Sequence, residues 1–191
     1  MKVIAFNGSA RKDGNTAILV RTVLTELEQA GIECEFIQLA GRKLSGCIAC
    51  YKCFELMDRK CVIENDNVNE YIGKMLEADG IILASPVYYA DLTAGIKALI
   101  ERSGMVARAN GELLRRKVGA AMVAVRRGGA IHAFDSINHW FQINEMIVVG
   151  SSYWNIGIGL DIGDVEGDAE GVETMRTLGR TMAWALSKLN A

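Results

Sequence analysis

The stretch KVIAFNGSARKDGNTAILVRTVLTELEQAG, residues 2–31, decides the fold that we expect. It begins with an apolar run of the kind that forms a buried strand, at residues 2–6, and passes through a polar loop into a helix predicted over residues 16–30. Apolar residues recur at helical spacing in that helix, and Gly31 provides a stop for its C-terminus. This stretch is therefore a first strand–helix unit.

The rest of the chain repeats the same alternation four times. Further strands are predicted at residues 32–39, 80–84, 117–125 and 146–149, and further helices at residues 68–76, 93–103, 131–141 and 169–189. Asn67 and Glu70 predict a capping box at the start of the second helix. Apolar strands separated by helices indicate an α/β fold with a parallel sheet covered on both faces. We expect a flavodoxin-like three-layer sandwich whose five-stranded parallel sheet has the order 2-1-3-4-5.

The composition is that of one globular domain spanning residues 1–191. Half of the residues are hydrophobic, 23% are charged, and the formal net charge is -2, which argues against a disordered chain and against a nucleic-acid-coating surface. No apolar run reaches the roughly 18 residues that a membrane-spanning helix needs, and the first residues lack the pattern of a signal peptide. We therefore expect a cytoplasmic protein without a membrane or nucleic-acid partner.

One connection is abnormally long. About residues 40–66 form an insertion of 27 residues without clear periodicity, where loops of about 2 to 6 residues are usual. It carries Cys47, Cys50, Cys53 and Cys61, four of the five cysteines of the chain. Crowded cysteines in a reducing compartment favour metal binding or redox chemistry over structural disulfides. Cys34 lies apart, on an alternating strand, and is interpreted as an inert core residue.

The loop after the first strand is a candidate phosphate site, because it leads directly into a helix whose free N–H groups and positive dipole end attract anions. Its candidate contacts are Ser9, Arg11, Gly14, Asn15 and Thr16. The loop is neither a Walker A sequence nor a GxGxxG fingerprint, which disfavours nucleoside triphosphates. An alternative interpretation is that Asn15 or Thr16 only caps the helix.

Two further loops follow strands at the same predicted edge of the sheet. The third strand is followed by Pro86, Val87, Tyr88 and Tyr89, and the fourth by Arg126, Arg127, Gly128 and Gly129. Each loop taken alone is explained by a tight turn. Together they place a phosphate loop, an aromatic loop and a Gly-Gly loop at one crevice, and a phosphorylated aromatic cofactor, FMN, satisfies all three.

The sequences GSxRxxGNT, SPVYY and RRGG resemble the NADPH-dependent FMN reductase and flavodoxin superfamily, and the resemblance covers essentially the whole chain. The spacing Cys47-x2-Cys50-x2-Cys53-x7-Cys61 is similar to the compact motif of the iron-sulfur flavoproteins. This resemblance implies one FMN and one [4Fe-4S] cluster per chain and electron transfer as the activity. It also implies a homo-oligomer, a homodimer or homotetramer, in which neighbouring subunits help to enclose the flavin.

The spacing alone leaves three interpretations of the cysteines open. Three cysteines at x2 intervals can wrap a cuboidal iron-sulfur cluster, with a fourth ligand from further along the chain. Zinc held by four thiolates usually uses two separate hooks, whereas here Cys50 belongs to both. Free or redox-active thiols are the third interpretation.

The expected function is FMN-dependent electron transfer between the cluster and the flavin for the reduction of a small-molecule acceptor. The expected electron donor is a ferredoxin-like carrier or NAD(P)H. No side chain stands out as an essential acid, base or nucleophile, so the chemistry is assigned to the cofactors. The alternatives are an NAD(P)H-dependent FMN, quinone or nitro-compound reductase without a cluster, and a redox-responsive binding protein.

Overall fold

A computed structural model describes residues 1–190 and consists of one parallel sheet between two layers of helices. The strands are β1 (Lys2–Asn7), β2 (Glu33–Gln38), β3 (Gly80–Pro86), β4 (Val118–Val125), β5 (Ile147–Val148) and β6 (Ile156–Ile158). The helices are α1 (Asn15–Gln29), α2 (Lys52–Leu56), α3 (Val68–Glu77), α4 (Ala94–Ala109), α5 (Ala130–Ile143) and α6 (Ala169–Leu189), with a 3₁₀ turn at Asp164–Gly167.

The strand order β2-β1-β3-β4-β5 confirms the predicted topology. The fifth position of the sheet, however, is divided between two short strands. β5 pairs with Val118 and Gly119 at the start of β4, and β6 pairs with Val123–Val125 at its end. Between β5 and β6 the chain leaves the sheet. Just before β6, the side-chain amide of Asn155 donates to the Ala121 carbonyl of β4 at 2.9 Å and so fixes the chain beside the sheet again. The single strand predicted at residues 146–149 is therefore only the first half of this edge.

The two faces of the sheet are covered by different helices. Ile4 and Phe6 of β1 belong to the core beneath α3, α4 and α5, whereas Val3 and Ala5 belong to the core beneath α1 and α6. This alternation follows from the strand period of two residues. Because both faces are buried, the ends of the strands and the loops beyond them are the parts of the sheet available for binding.

Two predicted details of the helices are wrong. α4 ends at Ala109, not at residue 103, because Val106, Ala107 and Ala109 are still buried against the core. The capping box at α3 does not form. Asp66 instead accepts from the Val68 N–H at 3.1 Å, while the side chain of Asn67 donates to that of Glu70.

The cysteine insertion follows an irregular path between β2 and α3, with α2 as its only helix among the described residues. Cys34 lies outside it, half-buried in β2 and packed beside the core beneath α1 and α6. Burial, helped by the nearby Glu28 and Glu33, raises the pKa of the Cys34 thiol to about 11, as expected of an unreactive residue. No helix within residues 1–190 is long and apolar enough to cross a membrane.

Candidate functional site

A buried polar network shapes the loop between β1 and α1. The Asn7 side chain accepts from the Ser9 N–H at 3.0 Å and donates to the Gln38 side chain at 2.8 Å. Gln38 donates in turn to the Ser9 carbonyl at 2.6 Å, and the Ser9 hydroxyl accepts from the Arg11 N–H at 3.1 Å. β1 and β2 thus fix the path of this loop before any ligand binds.

The start of α1 presents free donors. Gly14 precedes the helix with an extended backbone, and no side chain caps it. Among residues 1–190, the amide N–H groups of Asn15 and Thr16 have no hydrogen-bond acceptor in the protein, and the first turn carries no acidic side chain. Free N–H groups at the positive end of a helix bind anions. The interpretation of Asn15 or Thr16 as a mere helix cap is therefore wrong.

Asn15 has a structural role that the sequence did not reveal. Its side-chain amide donates to the Asp161 carbonyl at 2.9 Å, and its side-chain oxygen accepts from the Gly163 N–H at 3.0 Å. Gly159 is required beside it, since a Cβ there would lie 2.7 Å from the Asn15 Nδ2 atom. Arg11 adds a hydrogen bond to the Leu160 carbonyl at 2.9 Å. The side chain of Asn15 thus joins the loop after β6 to the phosphate loop and is not free to contact an anion.

One cavity collects eight of the predicted flavin-site residues at the carboxyl ends of the strands. These are Ser9, Arg11, Asn15, Thr16, Pro86, Val87, Tyr88 and Arg126, and three residues that sequence reasoning missed, Ala124, Gly159 and Leu160, complete the lining. Gly14 and Tyr89 do not line it. The glycine pair at residues 157 and 159 could have indicated the missed loop, but without a following helix it fits no dinucleotide fingerprint.

The tyrosine loop is a tight turn pinned by α5. The backbones of Tyr88 and Asp91 exchange two hydrogen bonds, of 2.9 and 3.2 Å, and Tyr89 and Ala90 adopt left-handed conformations with φ of 47° and 64°. The Asp91 carboxylate accepts from the Ser136 hydroxyl at 3.1 Å and lies 3.5 Å from the His132 imidazole. This turn leaves the Tyr89 side chain completely exposed.

A second cavity, of about 400 Å³, lies on the other side of the loop after β4. Arg127, Gly128 and Gly129 line it together with Tyr153 and Trp154, which come from the excursion between β5 and β6. The two aromatic rings pack against each other with centroids 4.8 Å apart and are more than half exposed. The sequence did not predict that Tyr153 and Trp154 line a cavity, because it indicated a single strand at residues 146–149 and no excursion before a second one.

The four clustered cysteines line a third cavity. Cys47, Cys50, Cys53 and Cys61 share it with apolar side chains and with Arg102 of α4. All four are free thiols, Cys47 and Cys50 exposed and the other two half-buried. Burial raises the pKa of the Cys53 thiol, and the neighbouring Cys61 and Cys47 thiols raise it further against two backbone hydrogen bonds that lower it. The thiols therefore face a common, mostly apolar space.

The candidate metal ligands of this cavity are the four cysteine thiols. Within residues 1–190, no three histidine, cysteine or carboxylate side chains converge closely enough to hold one metal ion. A structural zinc requires four ligands about 2.3 Å from one point. A cuboidal iron-sulfur cluster is instead bound at its corners, by thiolates that surround a space without meeting at its centre. Four cysteine thiols around one mostly apolar cavity are a donor set of the kind that such a cluster uses.

Polar side chains of α3 and the α4 region hold the cysteine segment. Glu101 accepts from the Cys47 N–H at 3.2 Å, and Asn110 accepts from the Arg59 N–H at 3.0 Å. Asn69 binds both the N–H and the carbonyl of Cys61, each at 2.8 Å. The sequence did not predict these hydrogen bonds, because no local pattern indicates a contact between residues as far apart as Cys47 and Glu101, which are separated by 54 positions.

Comparison with known proteins places the chain in a family. The model of the NADPH-dependent FMN reductases matches residues 1–161. The chain belongs to this family. An iron-sulfur flavoprotein of Methanocaldococcus jannaschii is 44% identical over 190 residues, which cover 96% of each chain. Another, from Methanosarcina thermophila, is 34% identical over 92% of this chain and 90% of its own.

The fold agrees with that assignment. A flavodoxin from the domain Archaea superimposes with a TM-score of 0.64 at 16% identity, over 98% of this chain and 99% of its own. The predicted resemblance to the iron-sulfur flavoproteins within the FMN reductase family is thereby confirmed. This member of the FMN reductases is a flavin-dependent oxidoreductase, an FMN redox protein.

Proposed function

We propose that this FMN reductase family member transfers electrons between a [4Fe-4S] cluster and FMN and uses them to reduce a small acceptor. The observation that carries the proposal is the single cavity lined by Cys47, Cys50, Cys53 and Cys61. When bound, FMN exchanges electrons singly or as a hydride, and the cluster exchanges single electrons. The relatives named iron-sulfur flavoprotein support the same conclusion.

The FMN phosphate binds at the start of α1. The free amides of Asn15 and Thr16 donate to it, Ser9 and Thr16 supply hydroxyls, and Arg11 supplies charge. Gly14 packs closely against Arg11, since a Cβ atom added at position 14 would lie 2.9 Å from the Cβ of Arg11. The ring system binds to the loops after β3 and β4, at residues 86–88 and 126–129. Tyr89 belongs to the first of these loops, but its exposed side chain does not line the cavity.

The cluster ligands are Cys47, Cys50, Cys53 and Cys61. The Ala49 N–H already donates to the Cys47 sulfur at 3.4 Å. Ala49, Tyr51, Met57 and Arg59 all have left-handed backbones, with φ between 49° and 63°. Such conformations are costly for residues other than glycine and concentrate at functional sites. A ligated cluster stabilises this tightly wound path.

The proposed partners are an electron donor and a second copy of the chain. The donor is a ferredoxin-like carrier or NAD(P)H. The cysteine segment exposes an apolar surface around its metal cavity, formed by Ile48, Tyr51, Phe54, Leu56, Met57 and Val62. Apolar patches of this kind mark interaction sites. A homodimer or homotetramer that covers this surface is expected by light scattering, and a monomer would contradict it.

Anaerobic purification followed by reconstitution with iron and sulfide tests the proposal. We expect about four iron atoms per chain and visible absorbance from both flavin and cluster. Cys47→Ala and Cys61→Ala should lose the cluster and keep the flavin. Cys34→Ala is the matched control, because this thiol lies in β2 away from the cavity, and it should keep both. Reconstituted protein with flavin and no iron would refute the proposal.

The second candidate is an NAD(P)H-dependent FMN, quinone or nitro-compound reductase without a cluster. The match of residues 1–161 to the NADPH-dependent FMN reductases favours it. The two candidates differ in the Cys47→Ala variant. A reductase without a cluster would oxidise NADPH in the presence of a quinone as fast in this variant as in the unmodified protein.

A further inference from the structure

Arg102 is a fully buried arginine in the middle of α4, with a side chain that is 0% exposed. All of its side-chain hydrogen bonds go to the cysteine segment. Its Nε atom donates to the Cys61 sulfur at 3.2 Å, and its terminal nitrogens donate to the Ile63 carbonyl at 2.7 Å and the Ser45 carbonyl at 3.4 Å. A 2.5 Å contact to the Asp66 carboxylate completes the set. One side chain thus binds both ends of the segment that carries the cysteines.

The ion pair with Asp66 explains how the charge is buried. The Asp66 side chain is itself buried and also accepts from the Ser45 N–H at 3.3 Å and the Val68 N–H at 3.1 Å. A buried charge requires such a partner, because removing an unpaired charge from water is very costly. This ion pair uses one terminal nitrogen of the guanidinium. It does not involve the Nε–H group, which has a different acceptor.

The Nε–H is directed at a sulfur. A neutral thiol is a weak acceptor, so a buried, permanently charged donor gains little from it. A thiolate bound to a metal carries negative charge and accepts a charge-assisted hydrogen bond, which is about twice as strong as a neutral one. The contact between Arg102 and Cys61 is therefore most favourable when Cys61 is a ligand.

We infer that Arg102 is a positioning residue of the metal centre, an inference that rests on the proposed function. Its Nε–H stabilises the negative charge on the Cys61 sulfur, and its other donors hold Ser45, Ile63 and Asp66 so that the cysteines face one cavity. Hydrogen bonds to ligand sulfurs and nearby positive charge both favour the reduced state of a cluster, which has one more negative charge. Arg102 therefore raises the reduction potential of the cluster.

The matched pair Arg102→Lys and Arg59→Lys tests this inference on the full-length reconstituted protein. Lysine keeps the positive charge but has a single ammonium group, which cannot bind Cys61, Ile63 and Asp66 together. We expect Arg102→Lys to have a more negative cluster potential than the unmodified protein and to release iron to a chelator several-fold faster. Arg59 lies in the same segment but is exposed, so Arg59→Lys should change neither quantity. Unchanged potential and iron release in Arg102→Lys would overturn the inference.

A second measurement does not require the Arg102 variant to fold. Protein labelled with ¹⁵N only in the arginine guanidinium groups is reduced and examined by pulsed electron paramagnetic resonance. We expect a ¹⁵N coupling to the cluster in the unmodified protein and in Arg59→Lys. Iron-loaded protein without this coupling would overturn the inference and leave the proposed function intact. Protein that binds no iron would overturn both.

Discussion

A Cβ atom on Gly129 would lie 3.1 Å from the Cα of Ala90, so the loops after β4 and β3 pack backbone against backbone beside the proposed flavin ring. Gly129 also has a φ of 88°, which side chains other than glycine rarely adopt. Gly129→Ala should therefore push the tyrosine turn away and weaken FMN binding by about 1 to 2 kcal/mol, roughly tenfold in Kd. Gly73→Ala is the control, since Gly73 lies in α3, away from both loops, and a Cβ there meets open space. Flavin fluorescence titration measures both, and equal Kd values would contradict the packing argument.

The phosphate assignment predicts a difference between FMN and riboflavin. Arg11→Ala removes a charged group from the cavity and should weaken FMN binding by about 1.5 to 3 kcal/mol, the range of hydrogen bonds to charged groups, while riboflavin binding changes little. Ser9→Ala should act in the same direction with a smaller effect. Lys12→Ala is the control, because Lys12 does not line this cavity. Equal binding of FMN and riboflavin to the unmodified protein would show that the site is misassigned.

The two tyrosines should differ in their roles. Tyr88 lines the flavin cavity, so Tyr88→Ala should weaken FMN binding by about 1 kcal/mol, the scale of aromatic contacts. Tyr89 points away from the protein and does not line the cavity. Tyr89→Ala should leave FMN binding to the isolated subunit unchanged and instead weaken subunit association, measured by light scattering over a dilution series. Matching losses of FMN affinity in the two variants would contradict this division.

The Arg102–Asp66 pair predicts acid sensitivity. Burial alone raises the pKa of Asp66, but hydrogen bonds from Arg102, Val68 and Ser45 outweigh it and hold the pKa below its usual value of 3.8. A carboxyl group with a lowered pKa in the folded state stabilises that state fully above about pH 4 and loses this contribution as the pH falls through the folded pKa. Denaturant unfolding at pH 7 and pH 3 should show a smaller loss of stability in Asp66→Asn than in the unmodified protein. Identical losses would show that the pair does not titrate on unfolding.

Iron-free protein should be cleaved by proteases within the cysteine insertion while the flavin core stays intact. Hydrogen bonds to side chains hold the backbone N–H groups on both sides of residues 48–58, at Ser45, Cys47, Arg59 and Cys61. We therefore expect the protease to cleave within residues 48–58. Mass spectrometry of the fragments locates the cut, and reconstitution with iron should protect it. Cleavage first at the loop after β6 would contradict the prediction.

The sequence was sufficient to predict every strand of the sheet except β6, because apolar strands and amphipathic helices depend on local periodicity. The strand order followed from the alternation of strands and helices. The same topology predicted that the loops after β1, β3 and β4 meet at one crevice, where the structure has Ser9, Thr16, Tyr88 and Arg126. The role of Asn15 did not follow, since its partners lie near Asp161 and Gly163, almost 150 residues away. The same holds for Arg102, whose helical position gives no sign that its side chain reaches back to Cys61.

The divided edge of the sheet separates the hydrogen-bonded strands from the excursion that lines the second cavity. β5 pairs with the start of β4 and β6 pairs with its end. The excursion that carries Tyr153 and Trp154 is therefore attached to the sheet at both of its ends. Loops anchored in this way tolerate insertions and replacements at little cost in stability. The excursion that lines the second cavity can therefore change in length and composition while the sheet stays the same.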